Sequence, residues 1–383
     1  MHFFRKIRET VSLRLILTTL ASMSVGALLM FLFISSRTTD GTSTGTNADT
    51  KTTLQEELVI FEKREVIEKR PNGYNTQKIS GFAMDTSGER NLIYQFIDDP
   101  LKRVKSKRFL IPTGHITKDN NIYLSGVGKD DFAVLSPTGE NLTEEYLFLK
   151  DARVPLKNFI RLPESEKIAY TETGLVVITE PGNNKGKTPV FISLSRAETP
   201  EVMGWSSQPN ILYAVTNGKS HIYRINTDSK RAYALKASGG SLENTLHLCP
   251  SQDYAIALHR TLDPETDSAI PPFQFKKINL SADTGTVFFE KLEQKPTAIF
   301  LSCAGGKMLY KDNTGFHILN FDGKEYRNKI TEKETIFAFL NDGKHVVTEQ
   351  DGRLLIKNYK SGAEILLGTN EEGVEYRLLG TVL

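Results

Sequence analysis

Between residues 118 and 349 a polar turn runs six times straight into a short apolar strand: KDNNIYL, PESEKIAY, SSQPNILYA, PSQDYAIAL, AGGKMLYK and NDGKHVVTE. The first apolar residues of these strands, Ile122, Ile168, Ile211, Ala255, Met308 and Val346, recur about every 45 positions, the length of a four-stranded propeller blade. A second series marks a tight turn between the two outer strands of each unit: SPTGEN, NNKGKT, NTDSKR, ADTGTV, FDGKEY and YKSGAE, centred near Gly139, Gly186, Lys230, Gly285, Gly323 and Gly362. The two series lengthen and shorten together, as one repeat requires. The stretches KNFIRL, EVMGW, NTLHL, TAIFL and TIFAFL precede the strands of the first series and suit the inner strand of a blade. From Glu57 onward, β-branched and aromatic runs alternate with Gly, Asp, Asn and Pro clusters, and no amphipathic helix interrupts them. The domain reads as all-β.

These units resemble the WD40-like (TolB-type) β-propeller repeat, an aromatic or aliphatic residue, then Ser-Pro-Asp-Gly, then a strand. WSSQPNILYA and FLNDGKHVVTE are the nearest matches, and the resemblance spans about residues 108–370. The Asp-Gly turn is complete only in NDGK, so the resemblance implies a fold. Such repeats carry no general catalytic residues, and none is assigned here.

A ring must also close. Residues 57–68, 77–84 and 91–97 read as three strands, DTSGER resembles the outer turn YKSGAE, and the C-terminal EYRLLGTVL is a spare apolar strand. The sequence therefore predicts a seventh, composite blade whose inner strand comes from residues 374–382 and whose three outer strands come from the N-terminal end. Such closure leaves no open sheet edge. Six blades with N-terminal decoration is the alternative.

Ahead of the repeats, residues 15–36, LILTTLASMSVGALLMFLFISS, are uncharged. At about 1.5 Å per residue such a helix crosses a hydrocarbon core of roughly 30 Å. The run exceeds the apolar region of a cleaved signal peptide. It predicts a single transmembrane signal-anchor helix, with residues 1–14 as a basic tail. Arg5, Lys6, Arg8 and Arg14 outnumber the basic residues just after the span, which keeps the N-terminus cytoplasmic and places the rest outside the cytoplasm, periplasmic or at the cell surface. Residues 37–56, rich in Thr, Ser and Gly, bury too little to order themselves and read as a linker to a propeller at 57–383. GTSTG, residues 41–45, has the letters of a serine hydrolase's nucleophile elbow. That elbow needs a strand before the serine and a helix after it, so Ser43 reads as linker.

In a propeller, loops joining the first and second strands of a blade share one face, and loops joining the second and third share the other with the connections between blades. The linker enters the composite blade at the first face, so the second is expected to look outward. Two outward stretches stand out. The connection between the second and third strands of the fourth blade, HRTLDPETDSAIPPFQ, is a long insertion offering His259, Asp263, Glu265 and Asp267, types able to bind a cation or move a proton. It lacks the glycine and distant glutamate of a calcium-binding EF-hand loop. The connection into the first blade, DDPLKRVKSKRF, carries Lys102, Arg103, Lys105, Lys107 and Arg108 and suits an anionic glycan or an acidic partner.

The formal net charge is only +2, and aromatic residues are not interleaved with the basic run, so nucleic acid is not the expected partner. Cys249 and Cys303 sit at similar points near the inner strands of adjacent blades; buried thiols are the expectation, a disulfide the alternative. Neither has a CxxC neighbour, so no structural zinc is expected. His247 and His317 lie inside strand patterns and read as packed or hydrogen-bonded. Trp205 occupies the repeat's motif position and reads as core. No catalytic residue, metal or cofactor is assigned. The sequence reads as a membrane-anchored extracytoplasmic propeller that binds or scaffolds a protein or glycan of the cell envelope. A glycan-active hydrolase or lyase with acidic residues in the central funnel is the alternative.

Overall fold

The computed structural model describes residues 57–382 apart from residue 72 and residues 106–112, 117–119, 128–131, 147–159, 162–166, 173–174, 180–189, 195–199, 209, 217–220, 239–241, 263–264 and 267–268. The described strands form seven separate antiparallel sheets. Their order along the chain is that of a seven-bladed β-propeller.

Blade 1 holds β4 (Thr113–Ile116), β5 (Ile122–Ser125) and β6 (Phe132–Leu135). Blade 2 holds β7 (Ile160–Arg161), β8 (Ile168–Glu172), β9 (Leu175–Thr179) and β10 (Val190–Ser193). Blade 3 holds β11 (Pro200–Trp205), β12 (Ile211–Thr216), β13 (Ile222–Asn226) and β14 (Arg231–Ala234). In blade 4 are β15 (Leu242–Cys249), β16 (Tyr254–Leu262), β17 (Ala269–Asn279) and β18 (Thr284–Leu292). Blade 5 comprises β19 (Ala298–Ser302), β20 (Lys307–Asp312), β21 (Gly315–Asn320) and β22 (Glu325–Tyr326). Blade 6 comprises β23 (Thr335–Phe339), β24 (His345–Gln350), β25 (Arg353–Asn358) and β26 (Glu364–Thr369). The six residues read as starting the second strands all fall within β5, β8, β12, β16, β20 and β24.

The seventh sheet has the order β27-β1-β2-β3, with β27 (Val374–Val382) inside β1 (Leu58–Glu68), β2 (Thr76–Met84) and β3 (Arg90–Asp98). Leu58 faces Val382 and Glu65 faces Val374, so the two ends of the domain zip together over most of a blade. Phe61 and Val59 from β1 are fully buried in a cluster with Leu340, Val347 and Ile356 of blade 6. Ile60 and Ile79 bury on the opposite face against Ile122 and Leu124 of blade 1. The alternation of Val59, Ile60 and Phe61 therefore supplies both neighbours, which explains why an unbroken apolar run stands here instead of an alternating one.

Three expectations need correction. Blade 1 shows three described strands rather than four: after the SPTGEN turn the chain makes one isolated bridge, Leu135 to Asn141, and then a 3₁₀ turn at Thr143–Tyr146 that buries Tyr146. Asn141 directs this departure, because its Oδ1 accepts bonds from the Thr143 amide at 3.0 Å and the Thr143 hydroxyl at 2.6 Å, a local alternative to ladder pairing. The supposed long loop of blade 4 is largely strand: Thr261 pairs with Ile270 and Leu262 with Ala269, extending the β16/β17 hairpin. In the fourth outer turn the left-handed residue is Asp283, φ 53°, while Gly285 already belongs to β18. Gly139, Lys230, Gly323 and Gly362 do take positive φ as turn centres. Gly186 lies outside the described residues.

Among the described residues no helix is long and apolar enough to cross a membrane. The predicted span 15–36, the flanking tail and linker, and Ser43 lie outside them.

Candidate functional site

All the inner strands run the same way along the ring, so their C-terminal ends gather at one end of the axis. There the inner strands of blades 4, 5, 6 and 7 surround a cavity of about 430 Å³. Its polar lining comes from Glu57 just before β1, His247 in β15, Asn341 just after β23 and Thr381 in β27; Ile299, Phe300, Leu301 and Phe339 supply apolar wall. The volume falls within the roughly 300–1,000 Å³ of small-ligand sites, which are mostly apolar with a few convergent polar groups.

Asn341 ties the site together. It opens the NDGK turn, in which Gly343 takes φ +64°, and its side chain reaches two other blades. Its Oδ1 accepts from the Cys303 amide of blade 5 at 3.0 Å. Its Nδ2 donates to Glu57 Oε1 at 3.4 Å, and its backbone amide donates to Glu57 Oε2. Blades 5, 6 and 7 are thus joined by one residue at the cavity rim.

The two titratable groups are shifted in opposite directions. Burial pushes the Glu57 carboxyl up, against the lowering effect of the bonds from Asn341 and Thr381, and the nearby Asp342 charge pushes the same way as burial. Burial alone pushes His247 down, so its neutral form is favoured. Its Nε2 is buried and makes no hydrogen bond, an open donor or acceptor position beside the cavity. Asp342 is exposed, and although partial desolvation raises its carboxyl, bonds from His345 and from the amides of Lys344 and His345 hold it low.

Cys249 and Cys303 are a disulfide with Cα atoms 5.6 Å apart, which corrects the expectation of buried thiols. Cys249 ends β15 and Cys303 follows β19, and neighbouring inner strands come closest near the axis. Cys303 lines the cavity. His247 is packed as read, with Nε2 buried, and it also lines the cavity. His317 behaves as read, with Nδ1 2.9 Å from Glu325 and Nε2 3.1 Å from Asp312. Trp205 packs partly buried against a core cluster of blades 2 and 3.

The residues singled out in the sequence lie elsewhere. His259 is a half-buried β16 residue opposite Gln274, its pKa lowered by burial and then by Lys276. Glu265 is exposed at the hairpin tip, and Asp263 and Asp267 lie outside the described residues. Lys102, Arg103 and Lys105 fall in a short helix, α1 (Pro100–Lys105), where a loop was expected. Asp99 caps it by accepting from the Leu101 amide at 3.0 Å, and Pro100 opens it. Lys102 is exposed; Lys107 and Arg108 lie outside the described residues. The basic helix follows β3 at the other end of the blade from the cavity. The sequence offered no signal for Glu57, Asn341 and Thr381 beyond the NDGK turn itself.

No protein-family model and no curated protein matches the chain. Among solved structures it is similar to one of a nidogen/laminin complex, at 9% identity and TM-score 0.37, over 84% of this chain and 99% of that one. A protein from Lactobacillus plantarum is similar at 13% identity and TM-score 0.41, over 84% and 99%. An oligogalacturonate lyase from Vibrio parahaemolyticus is similar at 9% identity and TM-score 0.43, over 68% and 73%. Likeness at this level speaks to fold alone, and here the fold rests on the seven sheets. The resemblance to WD40-like (TolB-type) propeller repeats accordingly holds at the level of fold.

Proposed function

We propose that the chain is a membrane-anchored, extracytoplasmic binding module of the cell envelope, whose protein or glycan partner presents a group to the axial cavity. The observation that carries this reading is the lining itself: an open cavity whose apolar wall is interrupted by one carboxyl, one imidazole, one amide and one hydroxyl among the described residues. Such a surface recognises a shape and a few polar atoms. A glycosidase needs a pair of carboxyl groups about 5–9 Å apart, and among the described residues Glu57 is the only carboxylate of the lining. The anchor is supported by the uncharged run 15–36 and the basic residues before it.

Thr381→Arg, which fills the cavity from β27, tests the reading. Native mass spectrometry of the full chain purified from its own envelope is expected to show a co-purifying partner or ligand on the wild type and its loss from this variant. Retention by a folded variant would move the binding site elsewhere. Deleting residues 15–36 is expected to release the chain from carbonate-washed membranes; continued membrane association would remove the anchor.

One observation favours a second reading. Glu57 and His247 line one cavity, and burial raises the Glu57 carboxyl, the direction in which burial tunes a carboxyl group for general acid–base work. A glycan-active lyase of this kind would lose turnover of envelope glycans in Glu57→Gln.

A further inference from the structure

The charge of the axial cavity is one-sided. Glu57 is 9% exposed, and no Lys or Arg is among the lining residues. The nearby Asp342 adds a second negative charge to its field. The Glu57 carboxylate has about four lone-pair positions, and its partners are the Asn341 amide, the Asn341 side chain and the Thr381 hydroxyl, all neutral donors. A buried carboxylate served by neutral donors is stabilised further by a cation, and at a carboxylate this buried that attraction is stronger than between groups exposed to water. The remaining wall is neutral. Phe300 and Phe339 line it together with Ile299 and Leu301, and aromatic rings favour ammonium groups over anions. His247, kept neutral by burial, adds no opposing positive charge and leaves Nε2 without a partner.

We propose that the axial cavity takes a compact organic cation, a protonated amine on an aromatic or branched aliphatic body. The ammonium sits against the Glu57 carboxylate and the apolar body against Ile299, Phe300, Leu301 and Phe339. His247 Nε2 meets a polar substituent of the ligand. The inference rests on the cavity being the ligand site.

Three probes of similar size and different charge separate the class from the site: 2-phenylethylamine, 2-phenylethanol and phenylacetate, titrated against the detergent-solubilised full chain at neutral pH with ligand-observed NMR. The amine is expected to bind at least about tenfold more tightly than the alcohol or the carboxylate, a difference of about 1.4 kcal/mol. Glu57→Gln keeps an acceptor for the Asn341 amide; it is expected to bring the amine down to the alcohol's affinity and to leave the alcohol within about twofold. Equal or tighter binding of the alcohol or carboxylate to the wild type, or an amine preference that survives Glu57→Gln, would overturn the ligand class while leaving the cavity a binding site. Absence of binding by all three, or binding unchanged by Thr381→Arg, would overturn the site and the class together.

Discussion

At the end of the propeller where the inner strands finish, Glu57, His247, Asn341 and Thr381 arrive from three blades at one cavity. At the opposite end the closing blade leaves Ile67, Tyr74 and Ile97 about half exposed or more, near Arg70, which pairs with Asp99 at 3.0 Å, and the exposed Lys102. The same repeats build both ends. They differ because the inner strands converge on the axis, where one or two residues per blade suffice to make a concave site, while the outer strands diverge and each presents its own sequence to water. Convergent chemistry at the first end needs a closed ring; scattered chemistry at the second needs only a local turn.

The sharpest way to break this contrast is to open the ring. Phe61→Ala removes a fully buried ring from the closing blade and is expected to cost about 3–5 kcal/mol, whereas Ile97→Ala at the opposite end should stay within about 0.5 kcal/mol. Urea unfolding of the two variants reads the difference, and similar costs would mean that β1 and β27 do not hold the ring.

A smaller effect is expected from the disulfide at the cavity wall. Its partners are 54 residues apart, and replacing both cysteines with Ala should cost about 2–4 kcal/mol in the same measurement. An unchanged midpoint would show that the inner strands of blades 4 and 5 hold together without it.

The pH dependence of stability distinguishes the two ends next. A carboxyl whose pKa rises on folding binds its proton more tightly folded than unfolded. Glu57 therefore contributes stability that is fully present below its unfolded value of 4.5 and lost as pH rises through its higher folded value. Glu57→Gln should thus gain on the wild type between acid and neutral pH, with the gain vanishing below pH 4.5. His247 has the opposite sense: its folded pKa lies below 6.5, so its contribution is lost as pH falls through that range. His247→Gln should flatten the acid side of the stability profile. Asp99, held low first by its bond from Arg70, contributes stability that is present above its unfolded value of 3.8 and lost as pH falls through its lower folded value, so Asp99→Asn should lower stability slightly at neutral pH and leave the acid end of the profile unaltered.

The smallest effect on stability belongs to the basic run. Exchanging Lys102, Arg103, Lys105, Lys107 and Arg108 for Ala or Ser should leave the unfolding midpoint within about 0.5 kcal/mol and weaken capture of an acidic partner most at low salt. Capture that is unchanged at every salt concentration removes this end from the binding account.

The contrast also explains what the sequence reveals and what it hides. The blades are readable because each strand start, from Ile122 to Val346, obeys a local rule: a polar turn, then an apolar run that must be buried. The composite blade is readable because EYRLLGTVL has no other partner. Blade 1 escapes because Asn141 and Thr143 satisfy their backbone locally, a competition that a repeat pattern does not display. The insertion in blade 4 looks like a loop because its Pro and Asp residues suggest turns, yet the hairpin register carries through to Leu262 and Ala269. The cavity is hidden most thoroughly. Glu57 and Asn341 are 284 positions apart, and only ring closure makes them neighbours. His247 carries no local mark, because its role depends on which end of β15 it occupies and what faces it across the axis.

The central claim, that the axial end is the working end, is tested most directly by photo-crosslinking in intact envelopes. A p-benzoylphenylalanine in place of Phe300 probes the cavity, and the same residue in place of Ile97 probes the opposite end. The account predicts a discrete adduct from the cavity position that disappears when Thr381→Arg is added. An adduct from the Ile97 position alone, with the cavity position silent, would contradict it.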